Sequence, residues 1–174
     1  MSYSALLTGC KKKAQHFAPY IGDTGSYLSQ ALQHVKKGLL EAQLVAMREI
    51  DYGIFPYTSS SSTISAYGPI GAGSPGAHLD HVVGVLKAYS TCVGAGPFVA
   101  EHALSETWME ALRKAGGEYG AATGRPRRVG PFDAVASRYG LKCQNADQIA
   151  LTKLDVLSQF DEIPIIVGYK KDGQ

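Results

Sequence analysis

His81-Val82-Val83-Gly84-Val85-Leu86-Lys87-Ala88-Tyr89 is a short aliphatic, β-branched run, and just beyond it the chain becomes Val93-Gly94-Ala95-Gly96-Pro97-Phe98. The first part reads as a buried strand and the second as a glycine-rich turn at its C-terminal end. In open α/β sheets that end is where ligands collect. Working outward, Asp23 or Thr24 can cap a helix running to about residue 37, with Tyr27, Leu28, Ala31, Leu32 and Val35 on one face and Gly38 as its stop. Residues 38–42 then read as a short strand leading into Gln43. Downstream, a helix starts near Ser105 with Trp108, Leu112 and Ala115 inward and Gly116-Gly117 as terminator. Residues 132–139 read as another helix, with Phe132, Val135, Ala136 and Tyr139 at helical spacing and Gly140 closing it. Residues 149–155 read as a strand and 163–169 as another buried strand, whereas residues 1–22 carry no clear pattern. Together these predict an α/β fold with a mostly parallel central sheet flanked by helices.

At 174 residues the chain has the length of one ordinary domain, large enough to bury a core. Its 17 basic and 15 acidic residues give a formal net charge of +2, a near-balance that argues against a nucleic-acid binder. Cys10, Cys92 and Cys143 are too few and scattered for a disulfide framework or a cysteine-rich zinc site. His78 and His81 form an H-x-x-H pair without a further ligand cluster, so no metal site is assigned. Neither a signal peptide nor a membrane-spanning run is evident, and the expected location is the cytoplasm.

The chemistry concentrates in Gly120-Ala121-Ala122-Thr123-Gly124-Arg125-Pro126-Arg127-Arg128-Val129-Gly130, which has three arginines, three glycines and no acidic residue. Glycine lets backbone N–H groups approach a ligand, and arginine offers a planar fork of donors matched to carboxylate or phosphate. Such a loop, feeding a helix N-terminus, suits an anion; a solvated basic turn is the competing reading. Thr58 to Thr63 form six consecutive hydroxyl side chains within a Gly-, Pro- and Ser-rich segment from Asp51 to Pro75. The flanking Phe55, Tyr57 and Tyr67 favour an ordered loop over a linker. Lys153 and Asp155 close the strand at 149–155. A carboxylate there could accept from guanine N1–H and the 2-amino group, a donor pair adenine lacks. The stem of Lys153 could lie along the base; an exposed charged strand end is the alternative.

Six collinear motifs carry a resemblance. Leu40-Glu41-Ala42-Gln43, Ile50-Asp51-Tyr52-Gly53-Ile54-Phe55-Pro56-Tyr57 and Lys87-Ala88-Tyr89-Ser90-Thr91 with 93–98 resemble adenylosuccinate synthetases. So do Glu118-Tyr119-Gly120 with 123–128, Phe132-Asp133-Ala134-Val135-Ala136 and Leu151-Thr152-Lys153-Leu154-Asp155-Val156-Leu157. The resemblance covers about residue 18 onward and implies one partial domain over residues 1–174, an incomplete part of that fold. The family is a GTP-dependent ligase of AMP (purine nucleotide) biosynthesis that joins IMP and L-aspartate with Mg²⁺ and is dimeric. It phosphorylates the 6-oxygen of IMP, and the aspartate amine then displaces that phosphate. The resemblance implies that Ala121, Ala122, Thr123, Gly124, Arg125, Pro126 and Arg127 bind aspartate. It places Gln43, Ser59 and Arg125 at IMP, and Arg127, Lys153, Leu154 and Asp155 at GTP.

The chain also departs from the family's pattern. The family's phosphate loop, catalytic aspartate and catalytic histidine have no counterparts here, so no catalytic residue or Mg²⁺ ligand is assigned and no turnover is expected from this chain alone. An inactive nucleotide-binding remnant is the alternative function. Ala42 and Val45 stand where the family has glycine, Ala122 and Ser59 where it has threonine, and Pro131 where it has tryptophan; Gln43 sits about one position off. A Cβ where glycine is required would cost about 1–2 kcal/mol.

Overall fold

The computed structural model describes residues 2–34, 36–42 and 45–173; Val35 and Gln43, both named above, lie outside the described residues. The chain divides into two compact units, Met1–Leu40 with Pro69–Ala77, and Glu41–Gly68 with His78–Gln174.

The first unit is helical. Ser2 accepts from the Ala5 amide and starts α1 (Tyr3–Phe17), a helix the sequence reading did not anticipate. Its apolar residues Tyr3, Leu6 and Phe17 are exposed, so no buried stripe announces it. Asp23 caps α2 (Thr24–Gln33) as expected, with Oδ1 accepting from the Ser26 amide at 2.9 Å. The helix ends at His34, before Gly38, and residues 38–42 are exposed irregular chain where a strand was expected.

The second unit holds the strands. After a short turn, α3 (Gly68–Gly71), whose residues 69–71 belong to the first unit, come β1 (Val83–Lys87), β2 (Ser90–Cys92) and α4 (Glu106–Gly116). Then come β3 (Arg128–Gly130), β4 (Phe132–Asp133), α5 (Ala134–Gln144), β5 (Gln148–Thr152) and β6 (Ile165–Ile166). Strands β1 and β5 pair in parallel from Val83↔Gln148 to Lys87↔Thr152, β4 and β6 pair in parallel, and β2 pairs antiparallel with β3. The architecture is therefore α/β with mainly parallel pairing, as expected. Helix α4 packs on β3 and on a 3-10 turn at Asp155–Gln159, and α5 packs on β1 and β6. Tyr89, Met109 and Leu112 of α4, Val129 of β3, Val156 and Leu157 form the core, with the Trp108 and Phe160 rings tilted against each other at 4.6 Å.

Several expected boundaries move. Met109 rather than Ala115 is the inward partner of Leu112. Residues 132–133 are strand, and α5 runs from Ala134 past Gly140 to Gln144, where Asn145 takes the left-handed C-cap at φ 49°. Gly140 is buried inside the helix, where an added Cβ would lie 3.2 Å from Ala46; it permits close packing and does not stop the helix. Strand β1 is not fully buried, since Val85 is 71% exposed, and of residues 163–169 only Ile165–Ile166 pair. No helix among the described residues is long and apolar enough to cross a membrane.

Candidate functional site

The basic loop folds as the tip of a hairpin whose stem is bonded by backbone. Tyr119 bridges Pro126, the Arg127 amide donates to Glu118 O at 2.9 Å, and the Gly120 amide donates to Arg125 O at 2.8 Å. Gly124 closes the turn at φ 64°, a conformation that favours glycine, and donates to Gly120 O. Among the described residues the amides of Ala121, Ala122 and Thr123 have no protein acceptor. They are donors available to a ligand. The loop does not feed a helix N-terminus directly, because β4 intervenes. That N-terminus already holds a carboxylate: Asp133 Oδ1 accepts from the Ala136 amide at 2.9 Å. The N-terminus of α5 is therefore capped from within the chain, and the unpaired backbone donors lie in the turn itself.

The three arginines divide in role. Arg128 is committed inward: Nε donates to Glu101 at 2.7 Å, Nη1 donates to Gly96 O at 2.9 Å, and the guanidinium lies 5.4 Å from the Phe98 ring. The Arg128 hydrogen bond, opposed by a smaller burial cost, holds the Glu101 carboxyl below its ordinary value. Arg127 donates from Nη1 to Glu118 at 3.0 Å. Arg125 is exposed and has no ion-pair partner among the described residues, so its fork is open to a ligand anion.

Glu118, buried at 3% exposure, is a junction the sequence reading did not single out. It also accepts from Lys87 Nζ at 2.9 Å and Tyr89 Oη at 2.7 Å. Burial pushes its carboxyl up, but hydrogen bonds from Tyr89, Lys87 and Arg127 outweigh that and hold it below the ordinary value. Burial, and then the Glu118 bond, raise the Tyr89 hydroxyl; Asp155 and Arg127 also act on it through their charges. Tyr89 thus meets the basic hairpin through Glu118, and it shares the core with Val156 and Leu157, which follow Asp155 in the chain. Lys153 leaves β5 with φ 64°, and Lys153, Leu154 and Asp155 are all exposed. The signal for this junction in the sequence was a lysine ending an apolar strand and a lone glutamate after Gly116-Gly117.

The serine loop is ordered, as expected. The Ser59 amide donates to Arg48 O at 2.8 Å, and Arg48 reaches Tyr57 O at 3.0 Å and Ala95 O at 2.9 Å. Arg48 therefore ties the Ser59 loop to the glycine-rich turn that Arg128 grips from the hairpin stem. Gly96 is needed there: at φ 110°, an added Cβ would lie 2.6 Å from the Tyr57 ring. No hydrogen bond among the described residues joins Ser59, Arg125 and Asp155 to one another. Val45 sits at φ −82°, and Ala42 is not among the positive-φ residues, so neither needs the left-handed conformation that would favour glycine. His81 pairs with Asp147 at 3.0 Å while His78 is exposed, and no group of three metal-ligating side chains occurs among the described residues.

An adenylosuccinate synthetase family model matches residues 1–174. The chain is 44% identical over 161 residues to the adenylosuccinate synthetase of Parafrankia sp. (strain EAN1pec), covering 92% of this chain and 37% of that protein. It is 42% identical over 175 residues to that of Caldicellulosiruptor saccharolyticus, covering 100% and 40% respectively. The solved, fully ligated adenylosuccinate synthetase from Plasmodium falciparum matches with a TM-score of 0.75 and 39% identity, over 88% of this chain and 37% of that one. The chain thus spans 37% and 40% of the lengths of these two curated relatives. With the motifs, the α/β architecture and a family match along its whole length in agreement, the chain belongs to the adenylosuccinate synthetase family.

Proposed function

We propose that this chain supplies the aspartate loop, part of the IMP pocket and the guanine-recognition segment of a GTP-dependent ligase that joins IMP and L-aspartate. Residues 1–174 then belong to a single partial domain. The observation that carries the reading is the division of labour in the hairpin. Arg127 and Arg128 are held by carboxylates, while Arg125 and the amides of residues 121–123 remain open at the tip. Two carboxylates on a short linker match that set, one on the Arg125 fork and one on the backbone donors. Pro126 and Gly124 fix the turn that presents them. Gln43 and Ser59 serve the IMP side, and Arg127 reaches the GTP side. Asp155 accepts from guanine N1–H and the 2-amino group, with Lys153 and Leu154 along the base. In this role the chain binds and orients the aspartate whose amine displaces phosphate from the purine. The described residues offer no fitting donor set for the family's Mg²⁺, so no step is assigned to the ion here. The same reading makes the working protein a cytoplasmic homodimer without nucleic-acid or membrane partners.

Calorimetric titration with L-aspartate tests the loop. Arg125→Ala is expected to weaken binding by about tenfold or more, the worth of one charge-assisted fork, without lowering the melting temperature. Unchanged affinity would return the hairpin tip to a solvated turn.

A further inference from the structure

Glu118 joins segments that are far apart in sequence and that the proposed function assigns to different ligands. Its Oε2 takes Arg127 Nη1 at 3.0 Å, and its backbone carbonyl takes the Arg127 amide at 2.9 Å, so one residue fixes the stem of the hairpin twice. Its Oε1 takes Tyr89 Oη at 2.7 Å and Lys87 Nζ at 2.9 Å. Lys87 is the last residue of β1 and is in register with Thr152, the last of β5. The next residue on each strand continues the link: the Ala88 amide donates to Thr152 O at 2.9 Å, and Lys153 then turns at φ 64° towards Asp155. A continuous set of bonds therefore runs from the hairpin through one carboxylate to the end of β5. Lys87 and Arg127 each form their ion pair with this carboxylate, so two cations share one buried anion.

We infer that Glu118 is a positioning residue that couples the turn at 121–127 to the Lys153–Asp155 end of β5, so that Arg127 is held ready for a nucleoside triphosphate when Asp155 engages its base. This rests on the reading given above for those two segments. A carboxylate serving only to neutralise the stem would secure Arg127 without any effect at β5.

Amide hydrogen exchange on the 174-residue chain separates these roles. Glu118→Gln keeps the shape and an acceptor for Tyr89 but not the charge that holds both cations. Rates are read relative to the α4 amides, which report each variant's overall stability. The expected result is exchange about tenfold faster or more at the Gly120, Gly124 and Arg127 amides and also at the Ala88 and Val156 amides. Loosening confined to the hairpin, or a uniform loss that includes α4, overturns the coupling. A double-mutant cycle adds the functional arm. Glu118→Gln should weaken GTP binding about tenfold or more in the native background, but by clearly less once Arg127→Ala is present. Additive losses overturn the inference. Failure of the native chain to bind GTP counts against the proposed function, while the exchange result still decides the coupling.

Discussion

At Glu118 a single carboxylate pairs with two cations of 29% and 37% side-chain exposure from a position almost closed to water. Removing it with Glu118→Ala leaves both cations unmatched. The cost should fall near the lower end of the about 3–5 kcal/mol typical of a broken buried pair, because both cations keep some water. The lowered carboxyl also fixes a pH dependence. Its contribution is full above the ordinary value of 4.5 and is lost as pH falls through the lowered folded value. Glu101, lowered by its bond to Arg128, acts in the same direction. Urea unfolding followed from about pH 5 to about pH 3 should show stability falling, with a shallower slope in Glu118→Gln. An unchanged slope would mean that the Glu118 carboxylate is unpaired in solution. The sequence displayed three arginines in one loop, but which of them meets a glutamate depends on the pairing of the hairpin stem, which brings Arg127 to Glu118, and on the turn at 99–102, which brings Glu101 to Arg128. Arg125, the one without an ion-pair partner among the described residues, could therefore not be told from its neighbours by composition.

Elements were legible where their signals are local. Ser105 caps α4 through its hydroxyl and Gly117 ends it at φ 63°, both readable from residue type. Helix α5 was misread for the opposite reason: the C-cap role fell to Asn145, while Gly140 serves packing against Ala46. Asn145 holds a left-handed conformation that glycine adopts without a Cβ penalty. Asn145→Gly should therefore stabilise the chain by up to about 1 kcal/mol in chemical denaturation; destabilisation would show that the asparagine side chain is needed at that cap. Strand limits were less legible, because pairing and burial are settled between segments. Strand β1 looked fully buried, yet Val83 and Val85 are open and only five register pairs with β5 form. The reading of 163–169 overran for the same reason, and α1 was missed because its apolar side chains find no core.

For the whole molecule, the α/β class and family followed from motifs that hold their order along the chain, and the site followed from how those motifs meet. The hairpin, the end of β5 and the ordered serine loop all belong to the second unit. The central proposal is that Asp155, in the turn that follows β5, reads guanine. Calorimetric titration with GTP, ATP and IMP, on the native chain and on Asp155→Asn, tests it most directly. The account predicts preference for GTP over ATP in the native chain, and loss of that preference with IMP affinity retained in the variant. Equal affinity for GTP and ATP in the native chain, or equal loss of GTP and IMP binding in the variant, would contradict it.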